Sequence, residues 1–243
     1  MDHVLKSFKI SRESGLIMTS GRGIGMYDGC EKTYGIEHVP RNMEFGRKLV
    51  ENFHHFIELQ KIMECTRDQW HPCGTYLMGP GSMDYDPSMI PKQWLLYEQA
   101  KGKKSILEIG VHGAHSLLVC LIASPEARIT CVDICHWIHV EKCVAYLQTH
   151  FPDRIVFIKG DSANVLPSIT ETFDMVHVDG DHSYEGAKSD MVHAIRLSHP
   201  ETSFVIDDFC DGIQRAVYQL SDVFQVMCVP GGNWNNCLVR RRR

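Results

Sequence analysis

The 243-residue sequence lacks any apolar run near the roughly 18 residues that a transmembrane helix needs. Its N-terminus, Met1 to Lys6, also lacks the basic region and the apolar core of a secretory signal. Both absences argue against a membrane protein or a secreted one. We therefore expect a soluble, cytoplasmic protein that makes no contact with membranes.

Positive charge is scarce for a protein that binds nucleic acid. The chain has 25 Lys and Arg residues against 30 Asp and Glu residues, a net charge of −5. Four of the basic residues form the terminal run 240–243, and without them the net charge is −9. A basic groove for DNA or RNA is therefore not expected. The hydrophobic content of 44% excludes a disordered or fibrous chain.

The ten cysteines follow no disulfide framework. A chain of this length can bury a core without disulfide bonds, so we expect the cysteines to be reduced. The nearest approach to metal-ligand spacing is Cys131 and Cys135, followed by His136 and His139. No second pair of ligands lies at the spacing of a zinc finger, and the sequence does not favour zinc there.

Short apolar runs that alternate with amphipathic segments predict an α/β fold from residue 104 onward. The predicted parallel strands are 105–109, 128–132, 154–158, 173–178 and 203–206. The predicted helices between and after them are 114–123, 139–150, 184–197 and 210–220, and a short turn is predicted near 163–166. Two last strands, 223–229 and 237–240, are joined by a Pro-Gly-Gly-Asn sequence that is typical of an antiparallel connection. The sequence thus predicts a central, mostly parallel seven-stranded sheet with a C-terminal antiparallel hairpin.

The first hundred residues do not show this alternation of apolar runs and amphipathic segments. We expect them to form a helical and loop extension with a substrate lid, beside a domain of residues 101–243. The glycine-rich residues 11–36 predict a loop, 39–63 a long helix, 72–91 a structured loop and 92–100 another helix. The residues that we expect in the lid are Tyr76, Met78, Tyr85 and Trp94, although aromatic side chains in such positions more often belong to a core.

A glycine turn between a strand and a helix provides the first functional signal. A buried strand runs into Gly110 and Gly113, and a helix begins directly afterwards. Backbone amides at such a helix start face a ligand above the carboxyl end of the sheet. Glu108 stands where a dinucleotide site has its first glycine. Its carboxylate repels a pyrophosphate and suits a sulfonium or ammonium, so the turn favours S-adenosylmethionine over NAD.

Two more carboxylates follow the next two strands. Asp133 closes the second strand, where it can accept hydrogen bonds from both ribose hydroxyls, and Ile134 would then lie against adenine. Asp161 follows the third strand, in a position to accept from the adenine amino group, and Ser162 offers a hydroxyl. Each acid alone is more often a solvated strand end. Acids at the ends of three consecutive strands favour a cofactor site.

With these motifs, residues 104–243 resemble the class I S-adenosylmethionine-dependent methyltransferases, which have a Rossmann-like fold. Within that class they most resemble metal-dependent O-methyltransferases. The run from Leu107 to Gly110, with Ser116 after it, is similar to the glycine motif of catechol O-methyltransferase. That similarity implies that Ser116 and nearby amides hold the methionine carboxylate. The run from Asp179 to Glu185 resembles the group that contains antibiotic-sugar O-methyltransferases.

Three carboxylates at the ends of adjacent strands predict a metal site. The fourth strand runs into Asp179, and the fifth runs into Asp207 and Asp208. Such groups repel each other unless a cation lies between them, and oxygen ligands suit Mg²⁺ or Mn²⁺. The resemblance implies the same three metal ligands, and we also expect Asp179 to line the cofactor site. An acidic rim that holds only cofactor and water is left open.

His182 is the predicted catalytic base. It follows Asp179 by three residues, where the resemblance implies a lysine in the catechol enzymes and a histidine in the sugar enzymes. An imidazole with a pKa near neutrality can take a hydroxyl proton at working pH.

The sequence thus predicts a metal-dependent O-methyltransferase that acts on a hydroxyl of a sugar or a sugar-containing small molecule. We expect the metal to bind two oxygens of a diol-like acceptor while His182 removes the proton. A catechol-type phenol O-methyltransferase and a non-catalytic module that binds S-adenosylmethionine stay open as alternatives. An NAD-binding reductase is disfavoured by Glu108. Assembly into a homo-oligomer is left open.

Overall fold

The computed structural model describes residues 22–27, 30–35, 43–66, 89–228 and 236–242. The expected lid residues Tyr76, Met78 and Tyr85 lie outside these ranges, as does almost all of the loop predicted for 72–91. Trp94 is described, and it packs against the apolar core. In the described chain, no helix has both the length and the hydropathy that crossing a membrane requires.

A small antiparallel sheet lies near the N-terminus. Strand β1 (Arg22–Tyr27) pairs with β2 (Cys30–Gly35). The loop predicted for 11–36 is therefore wrong over these two strands. Glycines at alternate positions of β1 hide the apolar alternation by which a strand is predicted. The Asp28-Gly29 dipeptide between the strands is a strong hairpin signal in the sequence and could have indicated the pair.

Within the described ranges, three helices precede the large sheet. The helix predicted for 39–63 is two helices in its described part, α1 (Glu44–Glu51) and α2 (Phe53–Glu64), and residues 39–42 lie outside the described ranges. Between them, the side-chain amide of Asn52 donates to the carbonyl of Lys48 at 2.9 Å, a local bond that competes with helix continuation. Helix α3 (Ile90–Ala100) begins two residues before its predicted start, with a proline in its first turn.

A seven-stranded sheet forms the centre of the fold. Its strands are β3 (Ser105–Ile109), β4 (Arg128–Asp133), β5 (Ile155–Lys159), β6 (Phe173–Val178), β7 (Ser198–Ile206), β8 (Phe224–Cys228) and β9 (Cys237–Arg241). They are ordered β5-β4-β3-β6-β7-β9-β8. The first five of these are parallel, and β9 pairs antiparallel with both β7 and β8. The predicted fold class, including the antiparallel C-terminal pair, is confirmed.

Helices cover both faces of the sheet. They are α4 (His115–Ala123), α5 (His139–His150), α6 (Ser162–Val165), α7 (Tyr184–Arg196) and α8 (Asp211–Gln219). Successive residues of β3 point to opposite faces, so Ile106 joins an apolar cluster with α1 to α5 and Leu107 joins one with α7 and α8. Helices α1 to α3 share their core with α4 and α5. The division at residue 100 stays a prediction.

Candidate active site

A cavity of about 810 Å³ opens at the carboxyl ends of β3 to β7. Strand order reverses at β3, and ligands of open α/β sheets bind at such a switch point. The lining includes eight of the nine residues predicted to bind the cofactor: Gly110, Gly113, Ser116, Asp133, Ile134, Asp161, Ser162 and Asp179. His182, Asp207 and Asp208 line the same cavity. The parallel sheet thus brings the predicted cofactor residues into one cavity with the three carboxylates of Asp179, Asp207 and Asp208, which we call the acidic cluster.

The glycine turn after β3 is shaped by close backbone contacts. Gly110 has φ +86°, and a Cβ there would lie 1.9 Å from the carbonyl oxygen of Asp179. Only glycine fits both the conformation and the space. The turn is also tied to β4, because the amides of Val111 and His112 donate to Asp133 Oδ2 at 2.7 and 3.1 Å.

Asp133 therefore has a structural role besides its predicted contact with the ribose hydroxyls. Its Oδ1 accepts from the amide of Cys135 at 2.6 Å, so three backbone amides contact one carboxylate. A carboxylate has about four lone-pair sites, which leaves limited capacity for the ribose hydroxyls. Asp133 holds the turn and the end of β4 together at the wall of the cavity.

The rim beside β5 carries the residues predicted to meet adenine. Ile134 is 61% exposed, which is unusual for a large apolar side chain and suits a surface that a ligand covers. Asp161 caps α6 by accepting from the amide of Ala163 at 2.9 Å. Trp137 and His136 also line the cavity, and the sequence did not predict a role for them in cofactor binding.

Glu108 is the predicted cofactor residue that the cavity lining leaves out. It is fully buried, and its Oε1 lies 3.1 Å from Nδ1 of His177, its neighbour in register on β6. His177 Nε2 in turn lies 3.7 Å from Asp207 Oδ2. The expectation that the Glu108 carboxylate faces a cationic ligand is therefore corrected. The alternation of β3 points this side chain toward the α1 to α5 face, beneath the cavity floor.

The acidic cluster contains a lysine that the sequence did not indicate. Lys92 Nζ, from α3, lies 2.5 Å from Asp207 Oδ1 and 2.9 Å from Asp208 Oδ1. Burial acts to lower the pKa of Lys92, but the charges of Asp207, Asp179 and Asp208 outweigh it and raise that pKa. Burial likewise acts to raise the pKa of Asp207, but Lys92 and His177 outweigh it and hold the pKa well below its usual range. This pair is therefore ionised on both sides.

His177 and Asp179 also have shifted pKa values. Burial acts to lower the pKa of His177, but Asp207 and Glu108 raise it to about 10. Burial and the charge of Asp207 raise the pKa of Asp179 to about 7. The surrounding carboxylates therefore favour the protonated form of His177, and the Asp179 carboxyl ionises less readily than an exposed aspartate.

His182 lies at the mouth of the cluster. Its Nε2 is 3.6 Å from Asp179 Oδ1 and 3.9 Å from Asp208 Oδ2, and its side chain is 43% exposed. The neighbouring Asp179 raises the pKa of His182 to about 9, although burial opposes the shift. The sequence predicted a pKa near neutrality, and the carboxylates account for the difference. The imidazole is mostly protonated at neutral pH.

The described side chains do not fit one divalent ion shared by the three predicted carboxylates. Ligand atoms of Asp179, His182 and Asp208 lie within 4.8 Å of one another, and so do those of His177, Asp179 and Asp207. Neither group contains all three carboxylates, and neither contains Cys131 or Cys135. The first group would use the imidazole of the predicted base as a ligand. Asp207 and Asp208 already have the Lys92 ammonium between them.

Residues 107–209 match a family described as a methyltransferase domain, which covers somewhat less than half of the chain. The match begins within β3 and ends just after β7, so it includes the glycine turn and the carboxylates of Asp179, Asp207 and Asp208. This part of the chain is a methyltransferase domain. No curated protein sequence matches the methyltransferase chain significantly.

Solved methyltransferase structures have the same fold at low sequence identity. An O-methyltransferase from Bacillus cereus in complex with SAH is 17% identical, with a TM-score of 0.56 over 76% of this chain and 90% of that one. TomG, an O-methyltransferase of tomaymycin synthesis from Streptomyces achromogenes in complex with SAM, is 19% identical, with a TM-score of 0.54 over 82% and 99%. An SAH-bound methyltransferase from Podospora anserina is 16% identical, with a TM-score of 0.58 over 76% and 88%. At these identities the likeness shows the fold.

Proposed function

We propose that this methyltransferase transfers the methyl group of S-adenosylmethionine to a hydroxyl of a sugar or a sugar-containing small molecule. The observation that carries the proposal is one cavity with two parts. The glycine turn with Asp133 and Asp161 forms one part of its lining, and the His182–Asp179 pair forms the other. A methyl donor and a proton acceptor would then face the same enclosed space. The solved relatives that hold SAM or SAH support the choice of cofactor.

The residues of the first part bind and orient. Amides at the start of α4 and the Ser116 hydroxyl would hold the methionine carboxylate. Asp133 would accept from the ribose, Asp161 would accept from the adenine amino group, and Ile134 would cover the adenine face. The bound cofactor supplies an electrophilic methyl group on a sulfonium. Positioning of the acceptor oxygen in line with that methyl group is the main contribution of the cavity.

The residues of the second part move a proton. His182 accepts the acceptor's hydroxyl proton through its neutral form, and Asp179 stabilises the imidazolium that results. The acceptor oxygen forms a bond to the methyl carbon while the bond from sulfur to that carbon breaks. The products are a methyl ether, S-adenosylhomocysteine and a proton that His182 releases to water. An alkyl hydroxyl needs such a base more than a phenol does, which favours the sugar-type acceptor.

The Mg²⁺ or Mn²⁺ requirement predicted from the sequence is not part of this reaction. The ligand set expected for the ion is divided between two groups, and the Lys92 ammonium contacts one carboxylate of each group. Every step above is carried by side chains of the chain itself.

Two measurements test the proposal. Isothermal titration calorimetry should show binding of S-adenosylhomocysteine and none of NAD. A methyl-transfer screen should then compare glycosides and aliphatic diols with catechols and simple phenols. Turnover of glycosides supports the sugar reading, and turnover of catechols alone replaces it with the phenol alternative. Binding of S-adenosylhomocysteine without turnover of any acceptor would indicate the non-catalytic module.

A further inference from the structure

Lys92 lies where the sequence placed a divalent ion. Its ammonium is 2.5 Å from Asp207 Oδ1 and 2.9 Å from Asp208 Oδ1, and its side chain is only 8% exposed. Lys92 also lines the cavity. A metal ion that bridged these two oxygens at the roughly 2.1 Å of a magnesium–oxygen bond would have to enter the space that the ammonium occupies.

The fold holds this ammonium in place. Lys92 stands in the first turn of α3, and the next turn of that helix buries Leu95 and Leu96 in the core. The buried side-chain amide of Asn236, just before β9, donates to the backbone carbonyl of Lys92 at 3.4 Å. The lysine is therefore anchored from its own helix and from the sheet. These contacts hold the backbone of Lys92 beside the cluster, which its ammonium reaches through two short ion-pair contacts.

The local charges also agree with a resident ammonium. Asp207 has the Lys92 ammonium on Oδ1 and the His177 ring on Oδ2, at 2.5 and 3.7 Å. Buried carboxylates need such countercharges because desolvation of an unpaired charge is very costly. The Lys92 ammonium is thus in ion-pair contact with both carboxylates that follow β7. A divalent ion would add positive charge beside an ammonium that is already in ion-pair contact.

We propose that the Lys92 ammonium is the resident cation of this active site and stabilises negative charge that develops on the acceptor oxygen, in place of a divalent metal ion. The inference rests on the proposed function. Asp208 connects the two groups involved, since its Oδ1 contacts Lys92 while its Oδ2 lies 3.9 Å from His182 Nε2. The hydroxyl proton goes to His182, and the ammonium keeps its own protons throughout. Preorganised positive charge of this kind is a large source of rate enhancement.

Binding of Mn²⁺ tests the inference without any assay of activity. Electron paramagnetic resonance should show that the full-length wild-type protein leaves the signal of free Mn²⁺ unchanged. Lys92→Ala removes the cation and opens space, so this variant should gain a Mn²⁺ site. Lys101→Ala is the matched control, because Lys101 lies at the end of the same helix in an exposed ion pair with Glu44. It should bind no Mn²⁺.

Turnover gives the second arm of the test. With its best acceptor, the wild-type enzyme should keep its full rate in EDTA. Lys92→Met has a similar length without the charge and should lose about 10²- to 10³-fold in kcat, while its affinity for S-adenosylhomocysteine stays the same. Lys92→Arg should keep more activity than Lys92→Met, and Mn²⁺ should restore part of the activity of Lys92→Ala.

Each of three results would overturn the inference: stoichiometric Mn²⁺ binding by the wild-type protein, loss of its turnover in EDTA, or a wild-type rate in Lys92→Met. If the neutral variants do not fold, the wild-type arms and Lys92→Arg still decide, because Mn²⁺ binding by the wild-type protein contradicts a resident ammonium. Failure of the proposed function would instead show as absence of S-adenosylhomocysteine binding in the wild-type protein. The Mn²⁺ measurement is independent of that result.

Discussion

Glu108 Oε1 lies 3.1 Å from His177 Nδ1, and both side chains are fully buried. The two residues are neighbours in the register of β3 and β6. Each stands one residue before the last residue of its strand. Through His177, the pair reaches Asp207. The Glu108 carboxylate, which the sequence assigned to the cofactor, therefore contacts the acidic cluster from below through His177.

Removal of Glu108 should lower stability more than cofactor affinity. Glu108→Ala leaves the buried His177 ring with one partner fewer, and we expect the free energy of unfolding to fall by about 3 kcal/mol. Urea denaturation measures that loss. Glu201→Ala is the control, because Glu201 makes an exposed ion pair with His199 and its loss should cost less than about 0.5 kcal/mol. A large loss of S-adenosylhomocysteine affinity at unchanged stability would instead support direct contact of Glu108 with the cofactor.

The raised pKa of His177 predicts how stability depends on pH. Its folded pKa of about 10 lies above the ordinary value of 6.5, so its contribution is fully present below pH 6.5 and is lost as the pH rises through 10. The free energy of unfolding should therefore decrease over that window. Buried cysteines act in the same direction, so the comparison needs His177→Gln. A folded His177→Gln variant should show a shallower decrease in urea denaturation, and an identical slope would contradict the assignment.

Gly110→Ala should disrupt the turn. The new Cβ would meet the Asp179 carbonyl oxygen at 1.9 Å, so β3 and β6 must separate where the cofactor site begins. We expect loss of S-adenosylhomocysteine binding by calorimetry together with a marked fall in melting temperature. Gly102→Ala is the control for backbone strain without a steric clash. Gly102 also has a positive φ, +74°, but no atom lies within 4 Å of its Cβ position. It should cost only about 1 to 2 kcal/mol and leave binding intact.

Asp133→Ala should affect both binding and folding. Ribose hydroxyls left without an acceptor predict a loss of about 1 to 3 kcal/mol in affinity, measured by calorimetry. The three backbone amides that contact this carboxylate lose their partner as well, so the melting temperature should also fall. Unchanged affinity in a folded variant would remove Asp133 from the cofactor site and leave it a purely structural role.

His182→Ala should separate binding from rate. S-adenosylhomocysteine should bind as in the wild-type enzyme, while kcat should fall by about 10²- to 10⁴-fold because the base is missing. His199→Ala is the control, since His199 pairs with Asp174 and Glu201 away from the cavity. A wild-type rate in His182→Ala would show that another group accepts the proton.

The pH profile gives an independent check on the same base. Only neutral imidazole accepts a proton, so kcat should increase with pH up to an inflection near the His182 pKa of about 9. Asp179→Asn removes the largest cause of that shift, so the inflection should move to lower pH whatever the remaining rate. A profile that does not respond to Asp179→Asn would contradict coupling between the two groups.

The sequence by itself determined the elements of the sheet and their chemistry. Strands β3 and β6 begin and end where apolar runs predicted, because burial on both faces leaves a continuous apolar signal. Gly110 and Asp133 were also evident, since strand ends of a parallel sheet meet at one edge. Local signals were misleading where glycines replaced apolar residues in β1, and where Asn52 ended a helix through its own side chain.

Only the tertiary structure decided which charges meet. Lys92 and Asp208 are 116 residues apart, and no spacing relates a helix of the N-terminal part to the end of β7. Glu108 belongs to a motif that predicts its residue type, but the alternation of β3 and the register with β6 decide that it faces His177. The strength of an electrostatic interaction depends on the distance between two groups in space. That distance does not follow from their separation along the chain. For this reason the acids that line the cavity could be named from the sequence, and the lysine that pairs with two of them could not.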